Sequence, residues 1–147
     1  MFKILLALHL LFAIFAIGPL VHAATTAGRG VRTGDGAATA SSARVLKIYS
    51  YASLLVVIAG FGLMSAKRHG QKVAEFSEPW IWVSALLWLA AVALVLGLVV
   101  PTLDRATELI GTEQSVAPLT AKVAAAGGVV GIVFAVIVFL MVYQPGK

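Results

Sequence analysis

The chain has 147 residues, of which 61% are hydrophobic and 12% are charged, and its formal net charge at pH 7 is +5. Its mean hydropathy of +1.00 is far above that of a typical soluble domain. The absence of cysteine excludes disulfides, thiolate metal sites and cysteine nucleophiles. The basic residues are scattered beside apolar segments, which suits anionic lipid headgroups and argues against a nucleic-acid-binding face.

The charged residues leave four long stretches of the chain without any charge. These stretches hold 25, 19, 25 and 24 residues and are Ile4–Gly28, Ile48–Ala66, Pro79–Leu103 and Val123–Gly146. A bilayer core about 30 Å thick needs about 20 apolar residues in a helix that rises 1.5 Å per residue. The sequence therefore predicts an all-α, membrane-spanning four-helix bundle in a single domain. The predicted spans cover about 4–24, 45–66, 79–101 and 119–143.

The first predicted span resembles a secretory signal sequence. Lys3 precedes an apolar core, and a small-x-small pattern ends at Ala23. Cleavage there would leave three spans. Because the apolar character continues beyond Ala23, we expect an uncleaved first helix. Pro19 removes one backbone donor from its last part, so we also expect a kink there.

Two histidines, His9 and His22, lie in this first span, and an intramembrane histidine is a functional candidate by default. The sharpest hypothesis is haem, which membrane helix bundles can hold between two histidines. Thirteen residues place the two side chains about 20 Å apart on nearly opposite helix faces, so they do not form one site. His9 alone, or with Met64 or Met141, stays a weak cofactor candidate. The structural alternative is a hydrogen bond from His9 to another helix. We therefore expect no cofactor and no metal.

The segments between the spans have distinct compositions. Segment 25–43 is rich in Gly, Ala, Thr and Ser, which predicts a flexible loop, and its glycines lack phosphate-loop spacing. Ser77 is predicted to cap the third helix, and Pro101 to end it. After Pro101, apolar residues at helical spacing predict a short amphipathic helix at the membrane interface. Five basic residues on one side of the membrane against six on the other leave the orientation open.

Aromatic and basic residues near the span ends are typical of membrane-interface anchors. We assign this role to Tyr49, Tyr51, Trp80, Trp82, Tyr143, Lys47 and Lys122. Trp88 lies deeper, and we expect it to contact lipid or a neighbouring subunit. Small residues four apart let membrane helices approach closely, either within the bundle or against a partner. This pattern predicts helix packing at Ala93, Gly97, Ala124, Gly127, Gly128, Gly131 and Ala135.

Short motifs recur at the starts and ends of the predicted spans. They are LHLL at 8–11, FAIGP at 15–19, ARVL at 43–46, YASLL at 51–55, PWIWVS at 79–84 and VP at 100–101. On these motifs the chain resembles an uncharacterised bacterial family of four-helix predicted integral membrane proteins, a domain of unknown function common in actinobacteria. The resemblance implies four spans and a multi-pass protein of the bacterial inner (plasma) membrane. It brings no established catalytic residues.

These observations lead to two functional hypotheses. The first is a non-catalytic accessory or scaffold subunit of a larger bacterial inner-membrane complex, with a respiratory cytochrome oxidase supercomplex as the first partner to consider. Its expected partners are membrane lipids and other integral membrane subunits, without nucleic acid. The alternative is a small transporter or a haem- or metal-handling membrane protein that uses His9. A pore would need more polar lining than Ser53, Ser65 and Ser84 provide.

Overall fold

The protein, studied as a computed structural model that describes residues 1–146 apart from the Arg68 side chain, is built from four long helices. They are α1 (Phe2–Arg32), α2 (Gly36–Ser65), α3 (Pro79–Leu109) and α4 (Ala117–Tyr143). Each is long and apolar enough to cross a membrane, as a multi-pass membrane protein requires. A small antiparallel hairpin of β1 (Lys67–Arg68) and β2 (Gln71–Lys72) follows α2. The prediction of an all-α four-helix bundle is confirmed.

Each helix packs against the helices that precede and follow it, and α1 also packs against α4, so the four form a closed square. Its centre is filled by aliphatic side chains that are fully buried, among them Leu20, Leu46, Val99, Leu103 and Val130. The apolar stripes of the four helices pack against one another, and the opposite face of each helix points outward. The outward faces carry large apolar side chains, such as Phe15 and Ile132, which are 68% and 67% exposed. A lipid environment accommodates such faces.

Segment 25–43 is helical, so the prediction of a flexible loop is wrong. Helix α1 continues to Arg32, and α2 starts at Gly36 after a three-residue turn. Asp35 caps α2, since its Oδ1 accepts a hydrogen bond from the Ala38 amide at 3.0 Å. Two physical reasons explain the error. The Thr25 and Thr26 hydroxyls donate to α1 carbonyls one turn back instead of favouring a loop. The small residues of the segment are buried in helix contacts, as at Ala27, Gly28, Thr39 and Ala43.

Helix α3 runs through Pro101 to Leu109, so the predicted end of the span at Pro101 and the separate interfacial helix are also wrong. A five-residue π-helical segment, Val95–Val99, ends two residues before this proline, and α1 has the same arrangement at Ala13–Ile17 before Pro19. A proline lacks the amide that would bond the carbonyl four residues earlier. A wider π turn directly upstream changes that pairing and lets the helix continue.

The beginning of α3 also differs from expectation. Glu78, rather than Ser77, precedes its first turn, and neither the Glu78 side chain nor any other caps it. The Glu78 carboxylate instead accepts hydrogen bonds from the Glu75 amide and from Trp80 Nε1. The turn before α3 is therefore held by a carboxylate that bridges the loop and the first turn.

The helices are longer than a bilayer core is thick. Helices α1 and α3 each have 31 residues, or about 46 Å at 1.5 Å per residue, against a core of about 30 Å. The uncharged run 48–66, nearly all of it in α2, is about 28 Å long and begins directly after Lys47. The charged helix ends, residues 29–47 and 104–122, therefore project beyond the apolar layer on the side of the α1–α2 and α3–α4 turns. We refer to these two segments as the polar head.

A close helix contact joins α1 to α4 at a glycine. A Cβ atom added at Gly127 would overlap the backbone oxygen of Ala24, so a Cα hydrogen of Gly127 points at that oxygen. One turn away, a Cβ at Gly28 would lie 3.3 Å from the Ala124 Cβ. The contact depends on residues without bulk, because any larger side chain would separate the two backbones.

We predict that Gly127→Ala destabilises the bundle by about 1–3 kcal/mol, because the added methyl group collides with backbone rather than with a mobile side chain. Gly128→Ala is the matched control, since no atom lies within 4 Å of the added group there, and its higher helix propensity should leave stability unchanged or raise it by up to about 1 kcal/mol. Thermal unfolding of both variants in one detergent measures the difference. Equal stability of the two variants would contradict the contact.

Candidate functional site

His9 is held in a defined orientation between α1 and α2. Its Nδ1 lies 3.0 Å from the backbone oxygen of Val56. Because a carbonyl oxygen can only accept, Nδ1 carries the hydrogen. The imidazole lies over Gly60, where a Cβ atom would come within 3.1 Å of the ring Cε1. The ring is therefore fixed by one interhelical hydrogen bond and by a glycine that makes room for it.

The Val56 bond has a chemical consequence for the other ring nitrogen. With Nδ1 protonated, a neutral imidazole presents an unprotonated lone pair at Nε2. A hydrogen bond from one ring nitrogen to a carbonyl is also how ligand histidines are oriented in metal and haem sites. His9 is half-buried, and no protein partner of Nε2 is found in the described part of the chain. The side chain is thus able to accept a hydrogen bond or to ligate.

The other groups considered beside His9 lie apart from it. His22 is exposed on α1 near the polar head. Met64 is buried in a separate cluster with Ala74 and Trp80, and Met141 is an exposed residue of α4. Across residues 1–146, no three His, Asp or Glu side chains come together in a group that could hold a metal ion. His9 therefore belongs to no such group.

A second polar contact lies between α2 and α3. The buried Ser53 hydroxyl donates to the Ser50 carbonyl at 2.6 Å and accepts from Trp88 Nε1 at 3.0 Å. Trp88 is half-buried and packs against the core with part of its side chain. A contact of its exposed part with lipid or a neighbouring subunit stays a prediction. The Ser50 and Ser84 hydroxyls are also buried, and neither has a hydrogen-bond partner within the described chain. The interior of the bundle therefore contains two serine hydroxyls without a hydrogen-bond partner in the described chain.

The apolar part of the bundle thus offers an oriented imidazole, a buried tryptophan–serine bond and small-residue helix faces. Comparisons of the chain with protein-family models, with curated proteins and with solved structures find no match. The functional argument therefore rests on the geometry of these features.

The small residues predicted to pack helices divide into an inward and an outward set. Gly127 is buried against Ala24, and a Cβ at Gly131 would lie 3.3 Å from Thr25 Cγ2. The Ala124 Cβ faces Gly28, although Ala124 is exposed as a whole. The remaining four are exposed and contribute to the outer faces of α3 and α4; they are Ala93, Gly97, Gly128 and Ala135. Of the two predicted alternatives, packing within the bundle or against a partner, packing against a partner stays a prediction for these four.

The residues assigned as interface anchors also divide. Tyr51, Trp82 and Tyr143 are exposed by 64%, 51% and 74%, as residues that reach the membrane interface would be. Lys47 and Lys122 are likewise exposed, at the ends of the uncharged runs. The other two aromatic residues pack inward: Tyr49 lies against the main core and Trp80 is buried beside Met64. Their large side chains stabilise helix contacts rather than the protein's position in the lipid.

Sequence reasoning identified His9 but missed the groups that position it. Gly60 and Gly62 lie four and six residues beyond Val56 in an apolar helix, and a glycine in such a place indicates close approach of another group. The sequence alone does not say that the approaching group is His9, because this depends on how α1 and α2 are rotated about their axes.

We predict that Gly60→Ala displaces the His9 ring, because the added methyl group would lie 3.1 Å from Cε1. Loss of the Val56 bond should cost about 0.6 kcal/mol, a typical value for an interhelical hydrogen bond in a membrane. The ¹⁵N chemical shifts of selectively labelled histidine report whether Nδ1 stays protonated and bonded. Gly62→Ala is the control, since its added group meets only Leu5 Cδ2 at 3.9 Å. Unchanged His9 shifts in Gly60→Ala would contradict the positioning role.

Proposed function

We propose that this protein is a non-catalytic scaffold subunit that binds other membrane-spanning helices within a larger complex. The observation that carries the proposal is the outward small-residue surface of α3 and α4. Added Cβ atoms at Gly97 and at Gly128 would each find open space within 4 Å. A glycine costs helix stability unless a close contact makes use of it, and neither glycine has such a contact inside the described chain.

The depth of these glycines supports the same proposal. Gly97 lies 12 residues before the end of α3, and Gly128 lies 11 residues after the start of α4. Because a short turn joins two antiparallel helices, the two glycines lie at similar depth in the membrane. A partner helix that approached either position closely would gain van der Waals contact and weak Cα–H···O bonds, which drive helix association in lipid.

For the partner we propose a bacterial inner-membrane complex, with a respiratory cytochrome oxidase supercomplex as the first to test. The sequence resemblance to a four-helix bacterial family supports the bacterial membrane. Four long stretches without a charged residue support a role in helix contact, since transporters usually keep costly polar groups inside their spans. The partner would be identified from the chains that co-purify with the protein.

We predict that the tagged protein, purified in mild detergent, retains integral membrane partner chains, and that Gly97→Leu or Gly128→Leu reduces their recovery several-fold. Leucine in either outward position would hold a partner backbone away, and its Cβ atom would meet no group of its own bundle within 4 Å. Mass spectrometry of the co-purified chains measures the recovery. Val129→Leu adds bulk at a position that is already 50% exposed and occupied by a branched residue, and it serves as the control. A lone protein without co-purifying chains would overturn the proposal.

A second candidate function is favoured by one observation, the 3.0 Å contact of His9 Nδ1 with the Val56 carbonyl oxygen, which leaves Nε2 of a neutral imidazole unprotonated. A neutral imidazole held this way could provide one axial ligand to a haem or one ligand to a copper ion. The second ligand would have to come from a partner chain or from another molecule. This function would make the protein a haem- or metal-handling component of the membrane.

The optical spectrum of the purified protein separates the two candidates. The haem version predicts a Soret band that is lost in His9→Ala, and the metal version predicts bound copper by elemental analysis that is lost in the same variant. His22→Ala is the control, because His22 is exposed and lies apart from His9. A spectrum without absorbance beyond the aromatic band, together with the absence of bound metal, would reject the second candidate.

A further inference from the structure

The polar head contains an open groove between α2 and α3 with a volume of about 500 Å³. Its lining combines two basic residues of α2, two acidic residues of α3 and small or hydroxylated residues between them: Ala40, Ala43, Arg44, Lys47, Asp104, Thr107 and Glu108. The Thr107 hydroxyl lies 2.7 Å from that of Thr39, which is fully buried. This hydroxyl pair forms the floor of the groove. The four charged side chains of the groove, two basic and two acidic, have a net charge of zero.

The groove lies at the depth of lipid headgroups. Lys47 is the last charged residue before the uncharged run of α2, and Asp104 is the first after that of α3. These two residues form an ion pair at 3.7 Å, which places the boundaries of both runs at the same level. Arg44 and Glu108 are one turn further out on their helices, about 4.5–6 Å beyond this level. A lipid at the surface of the protein would place its charged groups at this depth.

One pair of charges across the groove is left open. With Lys47 beside Asp104, the antiparallel register places Arg44 opposite Glu108. No ion pair within 4.0 Å joins Arg44 and Glu108 in the described structure, whereas Lys47 and Asp104 are paired. The groove thus presents one unpaired cation and one unpaired anion on opposite walls.

We propose that this groove binds the headgroup of phosphatidylethanolamine, a lipid that carries a phosphate and a primary ammonium. Arg44 would bind the phosphate oxygens through its planar guanidinium group. Glu108 would accept hydrogen bonds from the ammonium, while the acyl chains follow the apolar faces of α2 and α3 into the bilayer. The charge pattern of the groove selects this ligand. A purely anionic headgroup would leave the unpaired Glu108 carboxylate without a partner, and a choline headgroup has no N–H to donate.

The test uses the purified full chain with phosphatidylethanolamine, phosphatidylcholine and phosphatidylglycerol that have identical acyl chains. Native mass spectrometry counts the lipid molecules that stay bound to the protein. We expect phosphatidylethanolamine to be retained about threefold or more over the other two, as one partly exposed charged contact allows. Retention of phosphatidylglycerol above phosphatidylethanolamine, or equal retention of all three lipids, would overturn the proposal.

Variants of Arg44 and Glu108 test the contact with the phosphate and the contact with the ammonium separately. Glu108→Gln should reduce phosphatidylethanolamine retention to the phosphatidylcholine level, because only the ammonium contact is lost. Arg44→Gln should reduce retention of both lipids, and Arg44→Lys should restore part of it. Arg32→Gln and Glu113→Gln remove the same charges from exposed head positions outside the groove and should leave retention unchanged. Equal losses in the groove variants and in these controls would show general charge attraction and reject the site.

Discussion

The contact of Gly127 with the Ala24 backbone determines how near α1 can come to α4, and the rest of the bundle depends on that distance. On the side of this contact that leads to the polar head, Ala27, Gly28 and Ala126 are small and buried. The two helices are stabilised there by close backbone approach, dispersion contacts and weak Cα–H···O bonds. In the opposite half, Phe134 and Trp88 supply the bulk that fills the space between helices. A single chain thus uses two kinds of helix packing along its length.

The two prolines affect the same architecture from within the helices. Pro19 and Pro101 both follow a π-helical segment, and both helices then continue toward the polar head. A proline in the middle of an ordinary helix would clash with the carbonyl of the preceding turn and break it. Because the π segments change the pairing before each proline, α1 continues beyond its uncharged run by about one turn and α3 by about two turns. The extension of α3 carries Asp104, which pairs with Lys47 beside the groove.

The four spans could be predicted from the sequence, because charge is so costly in a bilayer core that its absence over 19–25 residues is a strong signal. The helical state of 25–43 could not, since glycine, threonine and serine favour loops unless tertiary contacts compensate, and those contacts involve Ala124 and Gly127, about a hundred residues away. The small-residue motif identified both Gly127 and Gly128. Which of them faces inward depends on the rotation of α4, and no local pattern specifies it. The same reason explains why His9 was identified without Val56 and Gly60.

Within the apolar layer, the protein satisfies most of its polar groups internally. His9 donates to a carbonyl of α2, Trp88 donates to Ser53, and the Ser53 hydroxyl donates in turn to its own helix. Hydrogen bonds of this kind link α1 to α2 and α2 to α3, so they help to fix the order of the helices around the square. Because these polar groups bond to one another inside the bundle, a partner would recognise the outer surface of the spans by its shape rather than by charge. A partner in the membrane would then be recognised at the outward glycines, and a headgroup at the charged groove. The two proposed contacts are therefore separated by depth, and each can be altered without disturbing the other.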